Sequence, residues 1–374
     1  MFKSKFSAFL ISGLLLPLQV VQSETSAAKP TELASYQVDL SDAKLSECLD
    51  ISDPKLTLIK GALEGRAYAY KDILPAHFEE WKESAVSDEI IRTNVISIPG
   101  VVCQKKNLKR LEFFTPIVDF LGWRKEKLPY NPKISSSGWI VRGALPFDFT
   151  KDASWSQVKL TPNTLGENFK YAKPGANSPS RQIGISNSFL KVSKTAAQDI
   201  FAKAEHTAKA PENFWYEVYN SNMPVHLTEG VKKAGSLLTA GYAGVGLMGV
   251  CGGIHTMDEE GNQIAPEIHD QIAPLLNTKR TIYLVYDLDQ SAQIIEFVRN
   301  AEAIFGDLLA EGGADVRIVS LPGPEKGVDD FIAARGAEAY DELVAEAKPL
   351  AQWKKDTDIH GDLKLIVQFL ACRV

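Results

Sequence analysis

A run of apolar, β-branched and aromatic residues, Thr281–Tyr286, constrains the fold more than any other segment of the chain. It offers no polar face, so the strand that it predicts is buried on both sides. Strands of this kind belong to parallel sheets whose faces are covered by helices. From Pro224 onward, strand-like and helix-like patterns alternate. The pattern predicts an α/β fold with a doubly wound, mainly parallel sheet.

The neighbouring segments supply the other elements of this sheet. Val225–Thr228 predicts a short strand that ends at Glu229, and Lys232–Ala240 predicts a helix after it. Ala243–Met248 and Val316–Leu321 predict two further strands. An amphipathic helix is expected between the strand Thr281–Tyr286 and the strand Val316–Leu321. Its apolar residues recur at helical spacing, and they are Ile294, Ile295, Val298, Ala301, Phe305, Leu308 and Leu309.

The earlier part of the chain predicts a mostly helical α+β module. Ser87 has the character of a helix N-cap, and Trp139–Val141 and residues 181–185 have the character of short strands. The expected organisation is a signal-like apolar N-terminus, a linker, the N-terminal module, the doubly wound domain and a C-terminal tail, at residues 1–23, 24–54, 55–210, 215–345 and 346–374 respectively.

The N-terminus has the pattern of a secretory signal peptide. Lys3 and Lys5 precede the apolar stretch Phe6–Val21, and small residues follow it. Polar residues and a proline interrupt the stretch, so no stable membrane span is expected. A shifted start site is the alternative to a leader. A cytoplasmic location is preferred to export, because the phosphoryl-transfer chemistry that the acidic residues of the later segments suit needs substrates that are found in the cytoplasm.

Net charge and a basic segment limit the partners that the chain can have. The formal net charge of −6 excludes a uniformly basic nucleic-acid coat. Residues 101–133, however, carry eight Lys and Arg against three Asp and Glu, a balance of +5, with aromatic residues interleaved. Such a segment suits a groove for single-stranded nucleic acid. A solvated surface over an aromatic core explains it equally well.

Acidic residues follow the predicted strands at the positions where parallel sheets bind ligands. Glu229 and the pair Asp287 and Asp289 come directly after two strands, and Asp329 and Asp330 follow a third. Carboxylates that converge in this way repel one another unless a cation lies between them. Hard divalent cations prefer such oxygen ligands, and Mg²⁺ at this position would suit phosphoryl transfer.

These residues resemble the Toprim domain of bacterial primases, topoisomerases and some nucleases. The matching segments are Thr228–Gly230, Tyr286–Asp289 and Leu321–Phe331. The resemblance implies Glu229 as general acid or base and Mg²⁺, or Mn²⁺, held by Asp287 and Asp289.

The last matching segment departs in part from the primase pattern. By the same resemblance Asp330 assists in binding the metal, with Asp329 as the fallback. Gly327 and Val328 stand where primases often carry a further acid. The cations expected to meet substrate phosphates lie near the same sheet edge, and they are Lys232, Lys233 and Lys326.

A narrower resemblance is to primase-like replication proteins of cyanobacterial plasmids. It rests on Leu227–Gly235, Gly249–Gly253 and Lys326–Phe331, and more loosely on Lys159–Pro162 and Lys170–Gly175. It implies a Mg²⁺-dependent nucleotidyltransferase that takes nucleoside triphosphates and single-stranded DNA. Some members are fused to a helicase, so a separate replicative helicase is the expected partner here. Two alternatives stay open, a Toprim nuclease that uses the same acids and a non-catalytic DNA- or nucleotide-binding relative.

Overall fold

The computed structural model describes residues 35–39, 49–60, 66–107, 110–121, 137–141, 143–144, 157–161, 171, 187–207, 213–257, 262–276 and 279–361. The signal-like segment 1–23, much of the linker 24–54, the strand expected at 181–185 and the end of the tail lie outside the described residues. Among the residues described, no helix combines the length and the apolar character needed to cross a bilayer.

The first half of the chain contains more strands than helices within the described residues. The strands are β1 (Ser35–Asp39), β2 (Leu49–Asp50), β3 (Leu56–Lys60), β4 (Arg66–Tyr70), β5 (Val95–Ile98), β6 (Val102–Asn107), β7 (Arg110–Phe114), β8 (Ser137–Val141) and β9 (Gln157–Thr161). The helices are α1 (Pro75–Lys82), α2 (Asp88–Asn94), α3 (Pro116–Leu121) and α4 (Lys194–Lys203).

The prediction of a mostly helical N-terminal module is therefore wrong. Short strands carry too few residues to separate a period of two from a helical period. In β3, Leu56 and Ile59 stand three residues apart, as they would on one face of a helix, yet β3 pairs with β4 in an antiparallel hairpin. The expected N-cap is confirmed, because the Ser87 side chain accepts a hydrogen bond from the backbone N–H of Ile90.

The second half of the chain alternates between strands and helices, as the sequence predicts. Its helices are α5 (Phe214–Asn220), α6 (Val231–Thr239), α7 (Ala292–Glu311), α8 (Val328–Arg335), α9 (Ala337–Ala345) and α10 (Leu350–Thr357). Its strands are β10 (Val225–Glu229), β11 (Ala243–Leu247), β12 (Ile254–Met257), β13 (Gln263–Ile268), β14 (Thr281–Val285), β15 (Asp315–Ile318) and β16 (Lys348–Pro349).

The main sheet has the strand order β11-β10-β14-β15-β16. The first four strands are parallel, and β16 is an antiparallel edge strand. The chain runs outward to β11 after β10 and then returns to the other side of β10 with β14. The direction of winding therefore reverses between β10 and β14, and open α/β sheets bind ligands in the crevice at such a point.

Helices cover both faces of this sheet. On one face, strand residues such as Leu227 and Leu284 share a core with Phe305 of α7 and Trp353 of α10. On the other face, His226 is buried and its Nδ1 lies 2.9 Å from the Tyr340 hydroxyl of α9. The interpretation of His226 as a core residue is confirmed by this burial.

The N-terminal module packs directly against the α/β domain. Trp81 and Trp139 belong to the same core cluster as Leu227 and Phe305. A backbone bridge joins the loop before α4 to β11, since Ser188 N–H donates to the Gly246 carbonyl at 2.6 Å. Because one core spans both parts, the surroundings of the sheet edge are built from both halves of the chain.

Arg280 anchors the start of β14 in the protein interior. The residue is 1% exposed, and its guanidinium donates to four carbonyls at 2.7 to 3.2 Å, those of Val218 and Tyr219 in the last turn of α5 and those of Ser221 and Met223 just after it. A helix leaves its last carbonyls without partners, and a cation at that end also suits the helix dipole. This one side chain therefore joins α5 to the strand that leads to Asp287.

Replacing Arg280 with Met is expected to destabilise the protein by about 3 kcal/mol or more, because it leaves buried carbonyls without a donor. Urea unfolding followed by circular dichroism measures the change. The neighbouring exposed residue provides the control, since Lys279→Met should alter stability by less than about 0.5 kcal/mol. Equal stability of the Arg280 variant and the wild type would contradict this account of α5.

Candidate functional site

Glu229 lies at the carboxyl end of β10, where the chain turns sharply into α6. Gly230 has φ of 82°, a conformation that favours glycine, and α6 begins at the next residue. The turn also lies close to β11, because a Cβ on Gly246 would come within 2.8 Å of the Gly230 carbonyl oxygen. The sharp turn and this close packing hold Glu229 at the end of β10, beside the point where the direction of winding reverses.

Glu229 has the electrostatic surroundings of a proton-transfer group. Burial and the neighbouring Asp287 carboxylate raise its pKa to about 7, and Lys233 opposes the shift. Among the described residues, no cationic side chain lies within ion-pair distance of Glu229. A carboxyl group that is half ionised near neutral pH can both accept and donate a proton.

Asp287 follows β14 and forms a buried ion pair with α6. The Lys233 Nζ lies 3.1 Å from Asp287 Oδ1 and 4.0 Å from Asp329 Oδ1. The three side chains are between 8% and 15% exposed. Burial alone would lower the pKa of Lys233, but the Asp287 and Asp329 carboxylates raise it above its ordinary value. Lys233 is therefore an ammonium ion held between two aspartates.

Asp289 lies nearer to solvent and has a different lysine. The Lys326 Nζ lies 3.0 Å from Asp289 Oδ1, and its side chain is 58% exposed. The backbone N–H of Leu288 donates to the Lys326 carbonyl at 2.7 Å. This hydrogen bond ties the Asp287–Asp289 segment to the loop that leads into α8.

Of the two aspartates at the start of α8, Asp329 and not Asp330 faces the ion pair. Asp330 is exposed, and its carboxylate accepts a hydrogen bond from the backbone N–H of Gly327 at 3.3 Å, as a helix-capping residue does. Asp329 is buried beside Lys233. The helix begins at Val328, so Asp330 is its third residue, where an acidic side chain caps the backbone N–H that precedes the helix. This position could have been recognised from the sequence.

Lys232 is turned away from these acids toward the N-terminal module. Its Nζ lies 3.4 Å from Glu80 Oε1, and the Lys159 Nζ lies 2.6 Å from the same oxygen. Trp139 Nε1 donates to the other Glu80 oxygen at 2.9 Å. Each of the three lysines expected to meet phosphates therefore contacts a carboxylate of the chain itself.

The donors at this sheet edge fit a hard cation in chemical type. Asp287 Oδ1 and Asp329 Oδ1 are buried, and neither accepts a hydrogen bond of good geometry within the described residues. In the same part of the chain, however, no three acidic, histidine or cysteine side chains are grouped closely enough to hold a metal ion. Lysine ammonium groups supply the positive charge in this arrangement, so a divalent cation would have to displace Lys233 or Lys326.

A pocket of about 210 Å³ opens beside the Asp287–Asp289 segment, and sequence reasoning missed its most unusual residue. Glu302 lies on the pocket wall and is 5% exposed. Burial raises its pKa to about 8, with Arg299 opposing the shift and Glu229 adding to it. Its position four residues after Val298 on the apolar stripe of α7 was a signal that could have revealed it.

The basic segment 101–133 offers less for nucleic-acid binding than its composition indicates. Phe114 and Phe120 are 7% and 1% exposed and pack in the core, so they are not available to stack on bases. Trp123 and Tyr130 lie outside the described residues. For the two buried phenylalanines, the interpretation as an aromatic core is confirmed.

Comparison with known proteins finds a family model that is similar to the part of the chain that contains the sheet edge. Residues 214–339 match the family described as "Domain of unknown function (DUF3854)". The chain is also 29% identical, over 318 residues, to an uncharacterized protein of Picosynechococcus sp. strain PCC 7002. That alignment includes 79% of this chain and 30% of the relative, so the chain spans under a third of the length of the curated protein that it matches.

Three solved structures of bacterial primases share part of the layout. They are the Aquifex aeolicus primase with its zinc-binding and RNA polymerase domains (TM-score 0.40, 16% identity, 74% of this chain and 56% of that one), the DnaG primase catalytic domain bound to ssDNA (0.38, 16%, 75% and 76%) and the E. coli primase catalytic core (0.37, 15%, 75% and 75%). All three TM-scores lie below 0.5, so the site is assigned from the side chains of this chain.

Glu302 makes stability depend on pH in a predictable direction. Its pKa rises from 4.5 to about 8 on folding, so the unfolded chain releases this proton more readily than the folded protein does. The wild type should therefore lose stability as the pH rises from 5 to 9. Glu302→Gln removes this loss and should be more stable than the wild type at pH 9, by on the order of 4 kcal/mol.

Urea unfolding at pH 5, 7 and 9 measures this difference. At pH 5 the Glu302→Gln variant and the wild type should agree within about 1 kcal/mol, because the carboxyl is protonated in the folded state. Glu296 is exposed on the same helix, so Glu296→Gln should follow the wild-type pH dependence. Parallel curves for the wild type and the Glu302 variant would show that this carboxyl is not buried.

Proposed function

We propose that this chain is a primase-like DNA replication protein that forms phosphodiester bonds at a Mg²⁺-dependent, Toprim-like site. The observation that carries the proposal is the position of Glu229 after β10 and of Asp287 after β14, the two adjacent strands between which the winding of the sheet reverses. Asp289 lies two residues further on, in the same loop. The Toprim resemblance of these segments supports it. Nucleoside triphosphates and single-stranded DNA are the proposed substrates.

The side chains divide the work according to their surroundings. Asp287 and Asp289 would hold Mg²⁺, or Mn²⁺, with Asp329 closer to them than the capping residue Asp330. The metal would neutralise phosphate charge and lower the pKa of an attacking hydroxyl. Glu229, with its pKa near 7, would accept the proton of that hydroxyl. Lys326 is exposed beside Asp289 and is the lysine best placed to meet a triphosphate.

A non-catalytic role is favoured by one specific observation. Lys233 and Lys326 already neutralise Asp287 and Asp289. A chain that keeps these ion pairs would bind DNA or nucleotides without metal chemistry. A nuclease that uses the same acids stays an alternative, and its products would distinguish it from a primase. A cytoplasmic location and a separate helicase partner stay predictions of the sequence.

Replacing both aspartates should abolish metal-dependent synthesis. With labelled nucleoside triphosphates, single-stranded DNA and Mg²⁺, Asp287→Asn/Asp289→Asn is expected to retain less than about 1% of wild-type incorporation, because a bound metal contributes several kcal/mol to the transition state. The exposed-acid variant Glu296→Gln should incorporate nucleotides at the wild-type rate. Circular dichroism and thermal unfolding establish that each variant folds.

The products separate the candidate functions. Extended chains that require Mg²⁺ and are lost in the double variant support primer synthesis. Template cut into fragments would instead identify a nuclease. Intact template with no extended product, from a folded wild-type protein, would contradict catalysis and leave a binding protein.

A further inference from the structure

Lys233 is built into the acidic sheet edge more firmly than a surface lysine would be. Its side chain is 15% exposed, and its Nζ lies 3.1 Å from Asp287 Oδ1 and 4.0 Å from Asp329 Oδ1. These two aspartates come from different elements, the loop after β14 and the first turn of α8. The ammonium group therefore holds together the strand end and the helix start that border the site.

The path of the Lys233 side chain depends on Gly327. A Cβ added at Gly327 would come within 2.3 Å of Lys233 Cε and 2.6 Å of Asp329 Oδ1. Gly327 has φ of −117°, so its backbone does not itself require glycine. The missing side chain is needed for space alone. The absence of a side chain at Gly327 thus leaves the space through which the Lys233 side chain reaches the two aspartates.

We propose that Lys233 is the internal counter-ion of Asp287 and Asp329 and competes with divalent cations for these carboxylates. The inference rests on the proposed function to the extent that the same aspartates are its metal ligands. Two carboxylates that are 8% and 15% exposed need a neutralising charge, and the Lys233 ammonium within 4.0 Å of both supplies it. A divalent cation then binds only when Lys233 leaves. Lys233 thereby sets the cation concentration at which the site becomes loaded.

Lys326 provides a natural comparison because it contacts Asp289 in solvent. Its side chain is 58% exposed, against 15% for Lys233. Exposed pairs are screened by water and salt and contribute little to stability. Removal of Lys326 should therefore change cation affinity much less than removal of Lys233.

The test is titration of the full chain with MnCl2 alone, followed by isothermal calorimetry and by electron paramagnetic resonance of free Mn²⁺. Lys233→Met keeps the apolar stem and removes the charge, and it should bind Mn²⁺ at least about tenfold more tightly than the wild type. Lys326→Met should gain less than about threefold. Mn²⁺ should also raise the melting temperature of Lys233→Met more than that of the wild type.

Lys233→Gln gives a second route to the same result if Lys233→Met folds poorly. It also removes the charge and keeps a side chain that can donate a hydrogen bond to the carboxylates, so tighter Mn²⁺ binding is expected here too. Unchanged or weaker affinity in folded Lys233→Met and Lys233→Gln, with a wild type that binds Mn²⁺, would overturn the inference and keep the metal site. Binding by the variants alone would support the inference and contradict metal-dependent function of the natural chain. Binding by none of the proteins would overturn both.

Discussion

Charge balance at the reversal point of the sheet is the constraint on which the rest of the site depends. Parallel strands end at one edge, so β10 and β14 bring Glu229 and Asp287 together in a partly buried space. Burial makes ionised carboxylates costly unless cations compensate them. Lys233 from α6 and Lys326 from the loop before α8 supply that compensation. The helices that flank the sheet are thus tied to the site by charge as well as by apolar packing.

The N-terminal module takes part in this balance through α6. Gln157 Oε1 accepts the backbone N–H of Val231 at 3.0 Å, at the first residue of α6. Glu80 engages the neighbouring Lys232, and that contact lies on a different side of the helix from the aspartates. Consecutive helical residues point about 100° apart, so holding Lys232 toward Glu80 helps direct Lys233 toward Asp287. The first module therefore acts on the acidic edge without contributing an acid to it.

Local patterns and wider contacts differ in how far the sequence reveals them. The strand at Thr281, the helix after Glu229 and the acids at strand ends could be predicted, because each depends on a few neighbouring residues. Most of the short N-terminal strands could not, since they have too few residues to show a period of two, and some of them, such as β1 and β5, pair with strands far along the chain. The choice between Asp329 and Asp330 depended on where α8 begins, within one residue. The role of Arg280 as a cap for α5 required contacts about 60 residues apart, which no local pattern encodes.

The difference between the carboxylates follows from the same balance. Asp287 and Asp289 each have a lysine at about 3 Å. Burial raises the pKa of Asp287, and the Lys233 ammonium opposes that shift. Within the described residues Glu229 has no such partner, and its pKa lies near 7. Environments that separate the protonation behaviour of neighbouring carboxyl groups also separate their chemical roles. Among the acids that end β10 and β14, Glu229 has a pKa near 7 and is therefore suited to exchange a proton near neutral pH. Lys233 also lowers the pKa of Glu229, so its removal would change the proton affinity of Glu229 as well as cation binding at Asp287. Metal affinity and proton transfer are therefore coupled through this one side chain.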